Sequence, residues 1–388
     1  MLLSTIRKFR LLIIKITIAS LFFTFLQLNF SNADSNLCKI ENNKLWTKLD
    51  HGLGFPRPEN RLPNKGTLNF KVLFAKSSGS TVANEKSAQD LYKKLQPEIV
   101  SSFYNQVSND SVNKIHFEPY YSWIEFDKLE SIQDAAGDEI SQVESEWRTF
   151  ISKTLETADS QIDFTKSDGV IIILDPNSSY LRLGYAIPWV FTVDGKKISN
   201  VVMLGRAYVQ VGLRSPYLVI HELGHLFGLP DLYSYIDAFK TNQDSTDTVS
   251  YFSVMNKAAV GGIGYFGWEK YILGWLDDPQ IICHTAGAVA GNLVPLSKKS
   301  GLKMIAIPIS SSEVLVVENR TKEGIDKMIP NPGIIAYVVN SSIESGKNPI
   351  KVLNNMKPIK LGSYLIYNNV KIEVLKKKGK NNIKVSVS

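Results

Sequence analysis

Apolar positions in this chain repeat with a period of two in some stretches and near 3.6 in others, and the changes of period mark its elements. From Thr67 to Phe74, Leu68, Phe70, Val72 and Phe74 share one parity, which predicts a strand with a buried face. From Ser87 to Val107 the spacing is helical, with Leu91, Leu95, Ile99, Phe103 and Val107 in line. Pro97 falls inside that run and predicts a kink or break. A second helix is predicted over Asp134 to Ala158, with Ile140, Val143, Trp147, Phe150, Ile151 and Leu155 inward. Gly169 to Leu174 is almost wholly apolar, the pattern of a strand buried on both faces. Asp194-Gly195 between apolar runs predicts a type I′ hairpin over Val190 to Ile198, and Val201 to Leu204 reads as a further strand.

Past Pro279 helical periodicity fades. Strand-like runs recur at Lys303–Pro308, Glu313–Glu318, Gly333–Val339, Val370–Leu375 and Ile383–Val387. The pattern predicts an α+β fold: an irregular lead-in over residues 34–66, a domain of mixed sheet and helices over 67–279, and a β-rich domain over 280–388. That last part reads as a small sandwich or a sheet packed on its neighbour, serving as support or as a binding surface for substrate.

The first residues belong to none of these. Arg7, Lys8, Arg10 and Lys15 precede an apolar run from Ile16 to Phe30, and Ser31-Asn32-Ala33 offers small residues where a signal peptidase reads. Residues 1–33 are therefore expected to be a signal peptide cleaved after Ala33, giving a secreted protein. An uncleaved anchor over Leu11 to Phe30 is the rival reading, opposed by Lys15, Thr24, Gln27 and Asn29. The formal charge of +7 falls to +3 once the four basic residues of that segment are removed, since it holds no acidic ones. So balanced a surface gives no reason to expect nucleic acid. Lys376, Lys377, Lys378 and Lys380 read as a solvated hairpin turn, with attraction to a membrane or cell wall as the lesser alternative. Cys38 and Cys283 are the chain's only cysteines, and in an oxidising compartment they are expected to pair. A Cys38 thiolate capping a metal is the competing use.

The chemistry lies at His221-Glu222-Leu223-Gly224-His225, extended by Gly228 and Asp231. Residues four apart share a helix face, so His221 and His225 can grip one metal ion, and Glu222 can reach water beside it. Ser215-Pro216 reads as an N-cap and first helical position, Leu218, Val219, Leu226 and Phe227 as the apolar face. Gly228 can end the helix in a left-handed conformation and return Asp231 toward the metal as a third ligand, leaving one position open. Asp231 could instead cap a turn, with a downstream glutamate as ligand.

The stretch HELGHLFGLPDLY from His221 to Tyr233 resembles the immune inhibitor A family of secreted, metzincin-type zinc metallopeptidases. Tyr251-Phe252-Ser253-Val254-Met255-Asn256 is similar to that family's methionine turn, although Asn256 and Lys257 depart from its usual small or polar residues. Trp268, Lys270 and Leu273-Gly274-Trp275 resemble the close of its catalytic domain, and Glu318-Asn319-Arg320, Asp326 and Pro330 a stretch of its β-rich part. The likeness spans residues 65–340. It implies a zincin-like catalytic domain, with Met255 packed beneath the metal and Val201–Leu204 as an edge strand beside the cleft. Calcium in some relatives makes Asp237, Asp244 and Asp247 candidate ligands, against their reading as solvated loop carboxylates. The short lead-in predicts no long folded pro-domain.

These readings converge on a zinc endopeptidase acting on protein or peptide substrates. His221, His225 and Asp231 hold the metal, and Glu222 is the general base. Tyr251 and Tyr265 are candidate further donors, and the polar loop Leu232–Ser250 is expected to wall the cleft. Two other classes stay open: a non-catalytic exported binding module on the same scaffold, and a zinc hydrolase of a non-peptide amide. No stable membrane span is expected after cleavage of the signal.

Overall fold

The computed structural model describes residues 35–42, 51–81, 84–127, 132, 134, 140–177, 181–235, 247–256, 261–379 and 381–388. The expected signal segment and its cleavage point lie outside them. No helix among the described residues is long and apolar enough to cross a membrane.

The architecture is α+β, with several sheets and helices. One five-stranded sheet has the order β2-β1-β3-β7-β4, formed by β1 (Gly66–Ser77), β2 (Val112–Phe126), β3 (Gly169–Leu174), β4 (Gly184–Ile187) and β7 (Val201–Leu204). All its pairings are parallel except that of β4 with β7, which is antiparallel. Strand alternation supplies two cores from one sheet. Leu68, Phe70, Val72, Phe74, Ile171, Ile173, Val202 and Leu204 face α1 (Glu85–Leu95), α2 (Pro97–Val107) and α4 (Ser215–Leu226). Leu73, Ala75, Val170, Ile172, Leu174, Val201 and Met203 face Trp147, Phe150, Ile151 and Leu155 of α3 (Ile140–Asp159). The wholly apolar β3 is buried at every position, as its composition predicts.

Pro97 does break the helical run. α1 ends at Leu95, Gln96 takes a left-handed φ of 49°, and Pro97 opens α2. The predicted hairpin forms from β5 (Phe191–Val193) and β6 (Lys196–Ile198), with Asp194 and Gly195 at φ 52° and 68°.

Three expectations need correction. α3 begins at Ile140, not Asp134; the Asp134 carboxylate accepts the backbone N–H groups of Arg182 and Leu183 and pairs with the Arg182 guanidinium at 2.8 Å. β7 is interior rather than an edge, because the short β4 covers its free side. Ser215 is already helical at φ −48° and caps nothing. Its hydroxyl lies 2.6 Å from the carbonyl oxygens of Tyr208 and Gly212.

The β-rich part adds two sheets. β8 (Ile281–Cys283), β10 (Met304–Pro308), β11 (Glu313–Arg320), β12 (Gly333–Asn340) and β13 (Ile350–Val352) run in the order β13-β12-β11-β10-β8. β9 (Val289–Leu293), β14 (Tyr364–Tyr367), β15 (Val370–Lys378) and β16 (Asn382–Val387) form the order β14-β15-β16-β9. The larger sheet is again apolar on both faces. Val314, Val316, Ile335, Tyr337 and Val339 join the core that holds α4, whereas Leu315, Val317, Ile334 and Ala336 pack on Ile372, Val374, Val385 and Val387. Lys376, Lys377 and Lys378 lie exposed at the end of β15, and Gly379 (φ 62°) turns the chain; Lys380 is outside the described residues.

The lead-in is irregular but not peripheral. Leu53 and Leu62 are buried in the main core, and Cys38 is bonded to Cys283 of β8, 245 residues away. That bond leaves no Cys38 thiolate to cap a metal. Closing so long a loop limits the unfolded chain, so replacing both cysteines by serine is expected to cost about 2–5 kcal/mol. Denaturant unfolding under non-reducing conditions checks this; an unchanged midpoint would show that the crosslink contributes nothing.

Candidate metal centre

His221, Glu222 and His225 lie on α4, which is buried along nearly its whole length. Gly224, on the same helix, is needed for closeness. A Cβ there would sit 2.5 Å from Met255 Sδ and 2.9 Å from the Tyr265 hydroxyl, so the fully buried Met255 packs directly on the helix that carries both histidines. Gly228, at φ 105°, ends the helix as its position predicts, and the Leu229 N–H closes the turn on the Gly224 carbonyl at 3.1 Å. The reversal carries Asp231 back to the histidines.

The three side chains meet. The Nε2 atoms of His221 and His225 are 3.1 Å apart, and Asp231 Oδ1 lies 3.0 Å from the first and 3.4 Å from the second. A tetrahedral divalent ion with bonds of about 2.0–2.1 Å would separate its ligand atoms by roughly 3.3–3.4 Å. The donors thus outline one face of such a tetrahedron. Among the described residues this is the one group of three or more potential ligand residues with that convergence.

Protonation sharpens the point. His221 Nδ1 lies 2.9 Å from the Val254 carbonyl oxygen and His225 Nδ1 lies 2.7 Å from that of Leu229. A carbonyl only accepts, so both Nδ1 atoms carry a proton, and in a neutral ring the Nε2 atom then presents a lone pair. Two lone pairs and a carboxylate oxygen facing one another in a buried site repel, and either an imidazole proton or a bound cation relieves that repulsion. Burial alone would raise the Asp231 pKa, but the two histidines outweigh it and hold the carboxyl well below its ordinary range. Burial likewise lowers His225, yet Asp231 overcomes it and raises the net value. The donor set fits a divalent metal.

Glu222 is buried beside these ligands. Burial is the largest influence on its carboxyl and raises the pKa to about 7, against the lowering effects of His221 and of a hydrogen bond from the Ala186 backbone. Ala186 belongs to β4, the edge of the sheet. A Cβ at Gly184 in the same strand would fall 2.8 Å from Glu222 Oε1. A methyl group at residue 184 would therefore force the Glu222 carboxylate to shift.

Neither tyrosine expected as a donor stands at the metal ligands. Tyr251 is 42% exposed in the turn Ser250–Phe252, and no hydrogen bond or ring contact among the described residues links it to a ligand. The buried Tyr265 hydroxyl pairs with that of Tyr104 at 3.1 Å, and Tyr104 donates to the Ile220 carbonyl. Tyr233 and Tyr235 occupy the place instead. Tyr235 donates to Asp231 Oδ2 at 2.7 Å, and Tyr233 bonds the same carboxylate while its ring stacks on His221. Burial, then Asp231, push both phenols well above their ordinary pKa, so both remain protonated donors.

Sequence reasoning also missed two supports. His51 stacks on His225 with ring centroids 5.0 Å apart, and its Nε2 is buried without a hydrogen-bond partner among the described residues. The lead-in that carries it binds the end of α4, through Gly52 N–H to the Gly228 carbonyl and Leu62 N–H to that of Leu226, both 3.1 Å. From the β-rich part, Ser345 Oγ accepts the Asp231 N–H at 2.9 Å, and Gly346 N–H donates to the Asp231 carbonyl. Of the calcium candidates, Asp237 and Asp244 lie outside the described residues. Asp247 Oδ1 braces its own loop by accepting from the Val249 and Ser250 N–H groups and the Asn256 amide.

Replacing His225 or Asp231 by alanine removes one corner of the donor face. Each variant is expected to lose stoichiometric divalent metal after dialysis while retaining the far-ultraviolet circular dichroism of the folded chain. Full metal retention by Asp231→Ala would assign the third ligand elsewhere.

No protein-family profile and no curated protein matches this chain. Among solved structures, the Argonaute of Marinitoga piezophila in complex with a 5′ OH guide RNA is 13% identical, with a TM-score of 0.19 over 84% of this chain and 46% of that one. The chain thus spans less than half of that protein, and so low a score supports neither a shared fold nor a shared function.

Proposed function

We propose that this chain is an exported zinc endopeptidase of zincin type. The observation that carries the reading is the juxtaposition of a three-cornered N,N,O donor face, a buried glutamate and an open strand edge. Two imidazoles and a carboxylate suit zinc, and three protein donors are the number expected where a fourth corner serves chemistry. Zinc held by His221, His225 and Asp231 would supply Lewis acidity, polarising a carbonyl and favouring ionisation of water near neutral pH.

The chain's own groups do the rest. Glu222 accepts the proton of the attacking water and returns it to the departing amine. The Ala186 hydrogen bond keeps the carboxylate turned toward β4. Among the described residues β4 ends the sheet order, so an extended peptide could add to its outer side by backbone pairing with its scissile bond near Glu222.

Two outcomes check this. With the metal retained, Glu222→Gln is expected to lower turnover of a mixed peptide library by about 10²–10⁴-fold, and a chelator should abolish cleavage by the parent protein. Metal-replete Glu222→Gln with undiminished activity would remove the glutamate from this role; chelator-sensitive hydrolysis confined to non-peptide amides would move the substrate to that class. Gly184→Ala should keep its metal and KM but lose about 10²-fold in kcat, because the added methyl displaces the Glu222 carboxylate. An unchanged kcat would show that the strand does not position the base.

A further inference from the structure

A second cavity, apart from the metal ligands, has a volume of about 120 Å³. Its lining includes Asn109, Lys270, Ser297, Lys299 and Asp326. One ordered water needs roughly 10–15 Å³, so the space admits a small polyatomic ligand. Its polar groups are short of partners. Lys270, on α5 (Gly267–Ile272), is only 3% exposed, and its ammonium meets the neutral Asn109 Oδ1 at 3.4 Å. An ammonium has three donors, so among the described residues this single long contact leaves most of its capacity unused. The Ser297 hydroxyl is buried with no hydrogen-bond partner among the described residues.

The carboxylates nearby are already engaged. Asp326 takes the Arg320 guanidinium in both oxygens at 2.9 Å and also accepts the Gly264 N–H. Glu318 accepts Arg320, Tyr337 and Gly267, and Asp110 at the rim pairs with Lys299. Glu269 is held largely protonated near neutral pH, since burial raises its pKa to about 8. Lys303, fully buried, meets the carbonyls of Pro295 and Lys298 rather than an acid. Arg320 thus takes up both of the nearby carboxylates, and Lys270 forms no ion pair among the described residues. Burial pushes Lys270 down to about 8 and Lys303 to about 7, because desolvation disfavours the charged ammonium.

We infer that this cavity is a binding site for a small oxoanion, held by the Lys270 ammonium and the Ser297 hydroxyl. Charge-assisted hydrogen bonds from the ammonium would provide most of the attraction, and the serine a directional donor. The site also adjoins the helix that carries both histidines. Tyr265 lines the cavity, and its hydroxyl meets Tyr104, which donates to the carbonyl just before His221.

Isothermal titration of the full chain with sodium phosphate, sodium sulfate and sodium formate, each against sodium chloride at equal ionic strength, tests the site and separates tetrahedral from planar anions. Saturable one-to-one binding of at least one oxoanion is expected, weakened tenfold or more by Lys270→Met and several-fold by Ser297→Ala. No saturable binding to the parent protein would overturn the assignment, as would equal affinity in both variants, the result expected if the anion sits on the metal. Should Lys270→Met fail to fold, Ser297→Ala decides alone, because it removes only an unpaired hydroxyl.

Discussion

Two backbone carbonyls govern this site. By accepting the Nδ1 protons of His221 and His225, Val254 and Leu229 orient both rings so that their Nε2 atoms face Asp231 Oδ1. Partners of this kind orient metal ligands and raise their basicity. The surrounding fold can be understood as the means of placing those two oxygens. Leu229 lies just past the Gly228 reversal, and Val254 lies in the loop that lays Met255 against Gly224.

The β-rich half is part of that arrangement. Arg320 on β11 grips Asp326 with two nitrogens, binds Glu318 with a third contact, and donates to the Phe252 carbonyl, two residues before Val254. All three charged side chains are buried. Removing one partner from such a network leaves an uncompensated charge, typically costing about 3–5 kcal/mol. The loop that orients His221 is thereby anchored to the sheet of β11 and β12, while Ser345 and Gly346 hold the backbone of Asp231. The boundary expected near residue 279 separates two textures of sequence, but one apolar core runs through both.

Much of this was legible because its determinants are local. Helical and strand periods located α1, α2, β1, β3, β10, β11, β12, β15 and β16, Asp194-Gly195 marked its turn, and the i, i+4 histidines with Gly228 and Asp231 marked the donor set. What was missed depends on distant partners. β2 escaped because its apolar parity changes at Pro119, from Ile115 and Phe117 to Ile124 and Phe126, where its pairing with β1 also shifts register. Proline lacks the N–H of an interior strand and is tolerated here because β2 is an edge. β4 has only four residues and no alternation, so its role as the edge beside Glu222 emerges only from pairing. Tyr233 lay within the recognised motif, whereas His51 and Ser345 are brought to the metal ligands from positions more than one hundred residues away in the chain, with no local pattern to mark them.

X-ray absorption at the zinc edge, on protein reconstituted with one equivalent of the ion, is the most direct test of the central arrangement. Two imidazole nitrogens and carboxylate oxygen at about 2.0–2.1 Å, with no sulfur, are predicted, and the imidazole signal should be lost in a variant lacking both His221 and His225. Failure of correctly folded protein to retain zinc, or a spectrum unaltered by removing those histidines, would contradict it.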